Sequence, residues 1–240
     1  MIKTLLFFLS MLLFGQQTTM VSTEEEAAYQ SASYHSTSTQ ATLPYYFIEP
    51  QAKPTAIFIY MHGAGGGYEQ GMSDDLFAGN FKNLKDVLKE KNYLYVTPET
   101  SDFEKEGAQE LVDLIVELKN NYGDLPVYLS GASAGGRTVF YAMNEAKKRN
   151  LPLGGIVLVC PALSEQSIQA FEVKNESLPL WMEVGEKDTV MPPERAKLLK
   201  EKLDGLGYAT HLETIQNGDH NAPVEQMDWK KGIDFLTDNH

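Results

Sequence analysis

The 240-residue sequence predicts an α/β fold, in which a mostly parallel, doubly wound sheet carries helices on both faces. Short apolar segments of strand length alternate along the chain with longer segments whose apolar residues recur at helical spacing. No internal repeat or linker interrupts this alternation. The length suffices for one well-buried domain but not for two large ones, so we expect a single domain.

The apolar runs and the helical spacings define the elements in order. Strands are predicted at 43–48 and 55–61, and the second of these is apolar enough to be buried on both faces. A helix at 77–90 has Phe81, Leu84, Val87 and Leu88 on one face. The strand at 93–97 and an amphipathic helix at 104–121 follow.

The second half of the chain repeats this alternation. A strand at 126–129 precedes a helix that begins near 138, and further strands are predicted at 155–160, 178–184 and 210–215. The helix at 193–206 has Pro193 near its first turn and Gly207 after its end, which are typical helix boundaries. A last helix is predicted at 224–236. The interval 161–179 has room only for a loop and a short helix, so no large cap domain is expected.

Residues 1–17 have the pattern of a secretory signal peptide. Lys3 gives a positive start, the run from Leu5 to Phe14 is apolar apart from Ser10, and small and polar residues end it at 15–17. The apolar run is shorter than a typical membrane-spanning helix. We therefore expect a secreted or periplasmic protein without a stable membrane anchor. A retained anchor is the alternative, because no Ala-x-Ala cleavage site is present.

Residues 18–42 are rich in Ser, Thr, Glu and Gln, which predicts a mobile polar leader that joins an edge strand. The main domain is predicted to span 43–240. The only cysteine, Cys160, cannot form an intrachain disulfide, and its apolar strand indicates a buried, inert thiol.

The net charge of −13 and the pI near 4.8 argue against nucleic acid or an anionic membrane as a partner. No His/Cys/Asp cluster has the spacing of metal ligands. The glycine run at 63–67 lacks the residues that complete a phosphate-binding loop. No metal and no cofactor are therefore expected.

The motif Gly131-Ala132-Ser133-Ala134-Gly135 joins a predicted strand to a predicted helix. A serine at so sharp a turn is held out toward a substrate, while the two glycines remove Cβ atoms that would collide. Backbone N–H groups at the start of the helix favour negative charge there. We interpret Ser133 as a nucleophile, with a plain tight turn as the alternative.

A nucleophilic serine needs a base, and His220 is the best placed of five histidines. It lies in the loop between the last strand and the last helix, on the rim expected for Ser133. His35 lies in the polar leader, His240 is the last residue and His211 begins a strand.

The third residue should be a carboxylate that accepts the other imidazole N–H. Asp188 follows the strand at 178–184 and precedes the histidine, and it is our first choice. Glu186 and Asp219 are rivals, and Glu99 and Asp102 offer a less favoured position after another strand end.

These residues, with His62-Gly63-Ala64-Gly65-Gly66, make the chain resemble a secreted α/β-hydrolase of the serine esterase type over roughly 43–237. The resemblance implies a Ser133-Asp188-His220 triad and an oxyanion hole formed by the backbone N–H groups of Ala134 and Ala64. His62, Gly63 and Gly65 would then support the oxyanion loop.

The resemblance also implies a substrate class. An exported enzyme with an open rim is similar to acetyl and feruloyl esterases and to polyhydroxybutyrate depolymerases. We therefore expect short-acyl or aryl esters, either as small molecules or on a polymer. The alternatives are a serine peptidase of the prolyl-oligopeptidase type and a non-catalytic binding protein with the same fold. Arg137 is expected to pair with an acidic surface residue, with carboxylate binding as the alternative.

Overall fold

The computed structural model describes residues 19–22, 28–74 and 76–238. The predicted signal peptide at 1–17 lies outside the described residues. The described strands are β1 (Thr19–Ser22), β2 (Ala28–His35), β3 (Thr42–Ile48), β4 (Ala56–Met61), β5 (Tyr93–Pro98), β6 (Val127–Ala132), β7 (Gly155–Val159), β8 (Pro179–Gly185) and β9 (Ala209–Ile215). The described α-helices are α1 (Glu69–Met72), α2 (Asn80–Glu90), α3 (Lys105–Tyr122), α4 (Ala134–Lys148), α5 (Glu165–Gln169), α6 (Pro193–Gly205), α7 (Ala222–Gln226) and α8 (Trp229–Asp238).

These strands form one sheet in the order β1-β2-β3-β5-β4-β6-β7-β8-β9. The pairs from β1 to β5 are antiparallel, and every pair from β5 through β4 to β9 is parallel. The carboxyl ends of the parallel strands therefore share one rim of the sheet, where loops meet.

Helices cover both faces of this sheet, as the sequence predicted. Apolar residues of α3, α4, α5 and α6 pack on one face, and those of α2, α7 and α8 pack on the other. Strand β4 contributes to both cores, because Ile57 and Ile59 point to the first and Phe58 and Tyr60 to the second. All seven predicted strands are present, with bounds shifted by three residues at most.

The prediction of a mobile leader at 18–42 is wrong for much of that segment, because 28–35 forms β2 within the sheet. Ala32, Tyr34 and Ser36 are buried while Ser33 and His35 are exposed, which is the alternation of a strand with one face covered. The polar composition concealed this alternation.

The last helix of the prediction is two helices. Met227 has extended backbone (φ −51°, ψ 122°) after α7, and Asp228 accepts a hydrogen bond from the Lys231 N–H at the start of α8. The predicted helix at 77–90 likewise begins as a short 3-10 turn (Phe77–Gly79) before α2. Of the described helices, none is long and apolar enough to cross a bilayer.

Candidate active site

Ser133 lies at the sharp turn between β6 and α4. Its backbone lies in a strained region of φ/ψ space (φ 51°, ψ −116°). The hydrogen bond from its N–H to the Val159 carbonyl (3.0 Å) holds the residue in this conformation. A Cβ on Gly131 would lie 2.5 Å from the Gly135 carbonyl oxygen, so glycine is required for the chain to reverse here. The turn presents a partly exposed serine at the rim of the sheet.

The structure brings Ser133, His220 and Asp188 together from three separate strand ends. The Ser133 Oγ lies 2.9 Å from His220 Nε2, and His220 Nδ1 lies 2.8 Å from Asp188 Oδ2. Because an ionised carboxylate only accepts hydrogen bonds, Nδ1 carries the proton and Nε2 is free to accept one from the serine hydroxyl.

Asp188 is fixed by the loop that follows β8. It is 3% exposed, and its Oδ1 accepts the N–H groups of Val190 (2.8 Å) and Met191 (2.9 Å). The carboxylate therefore keeps one oxygen for the loop and one for His220, which fixes both the position and the tautomer of the imidazole.

The rival carboxylates have other partners. Glu186 accepts the Asn217 N–H, Asp219 accepts the N–H groups of the next turn, and Asp102 accepts the N–H of Gly107 in the first turn of α3. Glu99 lies beside His62. In the described part of the chain, none of these carboxylates forms a hydrogen bond or ion pair with the His220 ring.

The other histidines lie elsewhere. His35 Nδ1 lies 3.3 Å from Thr42 Oγ1, and His211 stacks on Trp181 with ring centroids 4.1 Å apart. His240 falls outside the described residues.

The glycine-rich loop after β4 lies directly against the nucleophile. A Cβ built on Gly63 would lie 3.5 Å from the Ser133 Cβ, and the Gly63 N–H donates to Gln70 Oε1 (3.3 Å). Within the described ranges, neither the Ala64 nor the Ala134 N–H has an intramolecular acceptor. Gly65 has a positive φ of 85°, which bends the loop. Two free donors thus lie in the segments that flank the serine.

A second histidine–carboxylate pair supports this loop. His62 Nε2 lies 3.1 Å from Glu99 Oε2, and its ring packs edge-on against Phe103. From the sequence, Glu99 was expected only as a rival acid for the triad, and its pairing with His62 was not predicted. Their positions in the sequence could have indicated the pairing, because Glu99 directly follows β5 and His62 directly follows the neighbouring parallel strand β4.

Cys160 packs behind the Ser133-His220-Asp188 cluster. Its Sγ, an Asp188 oxygen and a His220 nitrogen lie within 4.8 Å of one another, which brings together three atoms of the types that bind metals. Burial, together with the charges of Asp188 and Glu183, raises the pKa of the thiol to about 12. A protonated thiol is a poor metal ligand, and Asp188 already uses both oxygens, so the residues fit a metal poorly.

The rim around the serine carries little covering structure. Between β7 and β8 the one described helix is the short α5, which packs against α6. Arg137 pairs with Glu104 (3.2 Å) and donates to the Phe103 carbonyl, so it has the acidic partner that was expected.

Comparison with known proteins agrees with this architecture. No protein-family model matches the sequence. Acyl-protein thioesterase 1 from Gibberella zeae is 31% identical over 127 residues, which cover 50% of this chain and 53% of that protein. The match thus spans about half the length of this curated relative.

Two solved structures are similar over most of the chain. A thermostable esterase (TM-score 0.67, 16% identity) matches 88% of this chain and 62% of its own. An S-formylglutathione hydrolase from Agrobacterium tumefaciens (TM-score 0.65, 12% identity) matches 95% of this chain and 99% of its own. At such identities the likeness concerns the fold. The chain has the α/β-hydrolase fold without a large cap among its described residues, as the sequence predicted.

Proposed function

We propose that this chain is a serine hydrolase that cleaves carboxylic esters, thioesters included, through an acyl-enzyme. The observation that carries the proposal is the hydrogen-bonded series Ser133 Oγ, His220 and Asp188, with Ser133 at a strained strand-to-helix turn. This series is the arrangement that activates a hydroxyl, since a free serine is a weak nucleophile at neutral pH.

The reaction follows from the orientation of these groups. His220 Nε2 removes the Ser133 proton as the oxygen attacks the acyl carbon, and Asp188 stabilises the imidazolium that forms. The imidazolium then gives its proton to the leaving alcohol or thiol. Water, deprotonated by His220, attacks the acyl-enzyme; the bond from the acyl carbon to the Ser133 oxygen breaks, the imidazolium returns the proton to that oxygen, and the acid is released.

The tetrahedral intermediate carries a negative oxygen that needs donors. The N–H groups of Ala134 and Ala64 are the candidates, because Ala134 directly follows Ser133 and Ala64 follows Gly63, which lies against the serine. Both N–H groups lack an intramolecular acceptor among the described residues. Loss of one such donor typically costs about 10²–10³ in kcat.

The substrate class is inferred from the rim and the relative. A rim with only a short helix between β7 and β8 favours small esters or ester groups borne on a polymer. The partial likeness to acyl-protein thioesterase 1 adds acyl thioesters to the set to be tested.

A substrate panel with one variant and one control tests the proposal. We expect hydrolysis of acetyl, butyryl or feruloyl esters or of an acyl thioester, and a loss on the order of 10⁴ or more in kcat for Ser133→Ala. Ser130→Ala is the matched control, because Ser130 is buried in β6, the strand that precedes Ser133. The Ser130 hydroxyl has no hydrogen-bond partner among the described residues.

Three results would overturn the proposal. Hydrolysis retained in Ser133→Ala would show that Ser133 is not the nucleophile. Faster cleavage of a peptide anilide than of any ester would indicate a peptidase. Absence of turnover on the whole panel would indicate a binding protein.

Export is a second part of the proposal, and its support is the pattern of residues 1–17. We expect the protein recovered from the medium or periplasm of a bacterial host to have lost about 17 residues, as measured by intact mass. A full-length protein in the membrane fraction would contradict export and favour a retained anchor.

A further inference from the structure

One carboxylate joins both ends of the oxyanion loop, which we define as residues 62–68. At the start of the loop, Glu99 Oε2 lies 3.1 Å from His62 Nε2. At its end, the Tyr68 N–H donates to Glu99 Oε1 (2.7 Å). Because Ala64 lies between these two anchor points, the geometry of Glu99 determines where the Ala64 N–H can lie.

The contacts of His62 define its charge. Its Nδ1 lies 2.9 Å from the Gly63 carbonyl oxygen, and its Nε2 faces the Glu99 carboxylate. A carbonyl oxygen and an ionised carboxylate only accept hydrogen bonds, so both ring nitrogens carry a proton. The geometry therefore favours an imidazolium, although the side chain is buried (3% exposed).

We propose that Glu99 is a positioning residue for the oxyanion loop: it holds His62 as a buried imidazolium and binds the Tyr68 N–H, and the two contacts together aim the Ala64 N–H at the developing oxyanion. This inference rests on the proposed function, since it assigns Ala64 a role in the transition state. It differs from a general support role for His62 because it requires a charge on the ring and a specific partner.

The charges around the ring support this assignment. Burial works against a charged His62, but hydrogen bonds to Glu99 and to the Gly63 carbonyl, with the charges of Glu99 and Glu69, raise the pKa of His62. Burial likewise works against ionised Glu99, but its hydrogen bonds with His62 and the Tyr68 N–H lower its pKa. Phe103, whose ring packs nearly at right angles to the His62 ring, is uncharged.

A pH dependence follows with a definite sign. When His62 loses its proton, one of its two hydrogen bonds is lost and the loop is released at its start. Because the pKa of His62 is raised, the kcat of the wild type should therefore fall on the alkaline side. In Glu99→Gln the neutral amide no longer favours the imidazolium, so the alkaline fall in kcat should begin at a lower pH.

The experiment combines two readouts on wild type, Glu99→Gln and a control. Protein with ¹⁵N-labelled histidine reports the protonation of each ring by NMR, with His62→Gln used to assign the His62 signals. The pH profiles of kcat and KM are measured on the best ester. Glu69→Gln is the matched control, since it removes a neighbouring carboxylate that acts on His62 through charge without a hydrogen bond to it.

We expect wild-type His62 to keep both ring protons at pH 7 and to lose one in Glu99→Gln. We expect kcat of Glu99→Gln to fall about 10–100-fold with KM within about threefold, because oxyanion donors act in the transition state. Glu69→Gln should stay within about twofold of wild type in kcat, because water and salt screen an exposed charge that makes no hydrogen bond to His62.

The inference is overturned if the wild-type His62 ring is neutral at pH 7, or if Glu99→Gln has the kcat and pH profile of Glu69→Gln. Should Glu99→Gln not fold, the NMR titration of the wild type decides alone. The NMR readout needs no turnover, so its outcome is separate from that of the Ser133→Ala test of the proposed function.

Discussion

Gly135 is the residue at which α4 approaches the end of β4 most closely. A Cβ at this position would lie 2.3 Å from the carbonyl oxygens of both Met61 and His62. These are backbone atoms and cannot rotate away, so only a glycine allows the helix start and the oxyanion loop to meet. Gly135, the second glycine of the motif at 131–135, is thus needed for α4 to pack against the end of β4.

Gly135→Ala should therefore separate the serine turn from the oxyanion loop. We expect a loss of about 1–3 kcal/mol in the free energy of unfolding, measured by urea titration, together with a lower kcat. Gly205→Ala is the control, because Gly205 ends α6 and a Cβ there would have no neighbour within 4 Å. Equal unfolding midpoints for the two variants would contradict the close approach.

The three candidate triad residues could be predicted from the sequence because each lies in the segment that follows a strand. In a parallel sheet, strand ends share one rim, so Ser133, Asp188 and His220 were expected to meet. The strand ends also place His62 and Glu99 on this rim, but strand ends alone do not predict that the two side chains pair. The pairing depends on the path of the loop 62–68 and on which of several rim carboxylates faces the ring.

At the level of elements, a network of polar contacts attaches β2 and the turn after it to α3 and α4. The buried Ser36 hydroxyl donates to Asp113 (2.6 Å), the Ser38 N–H donates to the same carboxylate (3.0 Å), and Arg149 forms an ion pair with it. A polar segment can thus form an ordered strand, because its buried groups find partners on the neighbouring helices.

Asp113→Asn should weaken this attachment in a pH-dependent way. Burial opposes ionisation of Asp113, but hydrogen bonds from Ser36, Arg149 and Ser38 outweigh it and lower its pKa to about 2. A lowered pKa gives stability that is present above pH 4 and lost as the pH falls toward 2, a difference of about 2 kcal/mol. Urea unfolding between pH 7 and 2 measures it.

The control for that series is Asp86→Asn, which removes an exposed i,i+4 pair with Lys82. An exposed pair contributes about 0.5 kcal/mol or less. If wild type and Asp113→Asn lost stability in parallel as the pH fell, the proposed role of Asp113 would be wrong.

The strand β2 and the break between α7 and α8 were not predicted from the sequence, and the contacts of each explain why. Prediction relied on apolar periodicity, whereas the end of β2 is attached by the buried Ser36, which directly follows the strand and donates a hydrogen bond to Asp113, 77 residues away in sequence. The break at Met227 leaves the apolar spacing intact on both sides, since residues of both helices reach the same core. Long-range polar contacts and single backbone angles leave no periodic signal.

For the whole molecule, one buried carboxyl group should shape the dependence of stability on pH. Glu183 lies in β8 with 2% exposure, and its nearest polar partner is the Trp181 Nε1 (3.4 Å). Burial and the charge of Glu213 raise its pKa to about 7, against lowering effects of Trp181 and Lys231. The folded state therefore binds a proton that the unfolded chain releases near pH 4.5.

Stability should thus fall as the pH rises from about 4.5 to about 7, by on the order of 3 kcal/mol at most. Glu183→Gln removes the charge and should abolish this fall, whereas Glu172→Gln, at an exposed position, should preserve it. The check is thermal or urea unfolding at several pH values. A fall of equal size in Glu183→Gln would show that another group causes it.

The fold as a whole brings together three side chains that are up to 87 residues apart in sequence. The most direct measurement of their joint action is labelling by a fluorophosphonate, followed by intact mass and peptide mapping. We predict a single adduct on Ser133 in the wild type, none in Ser133→Ala, and a labelling rate at least about 10²-fold lower in His220→Ala. Labelling of Ser133→Ala at the wild-type rate, or an unlabelled wild type, would contradict the account.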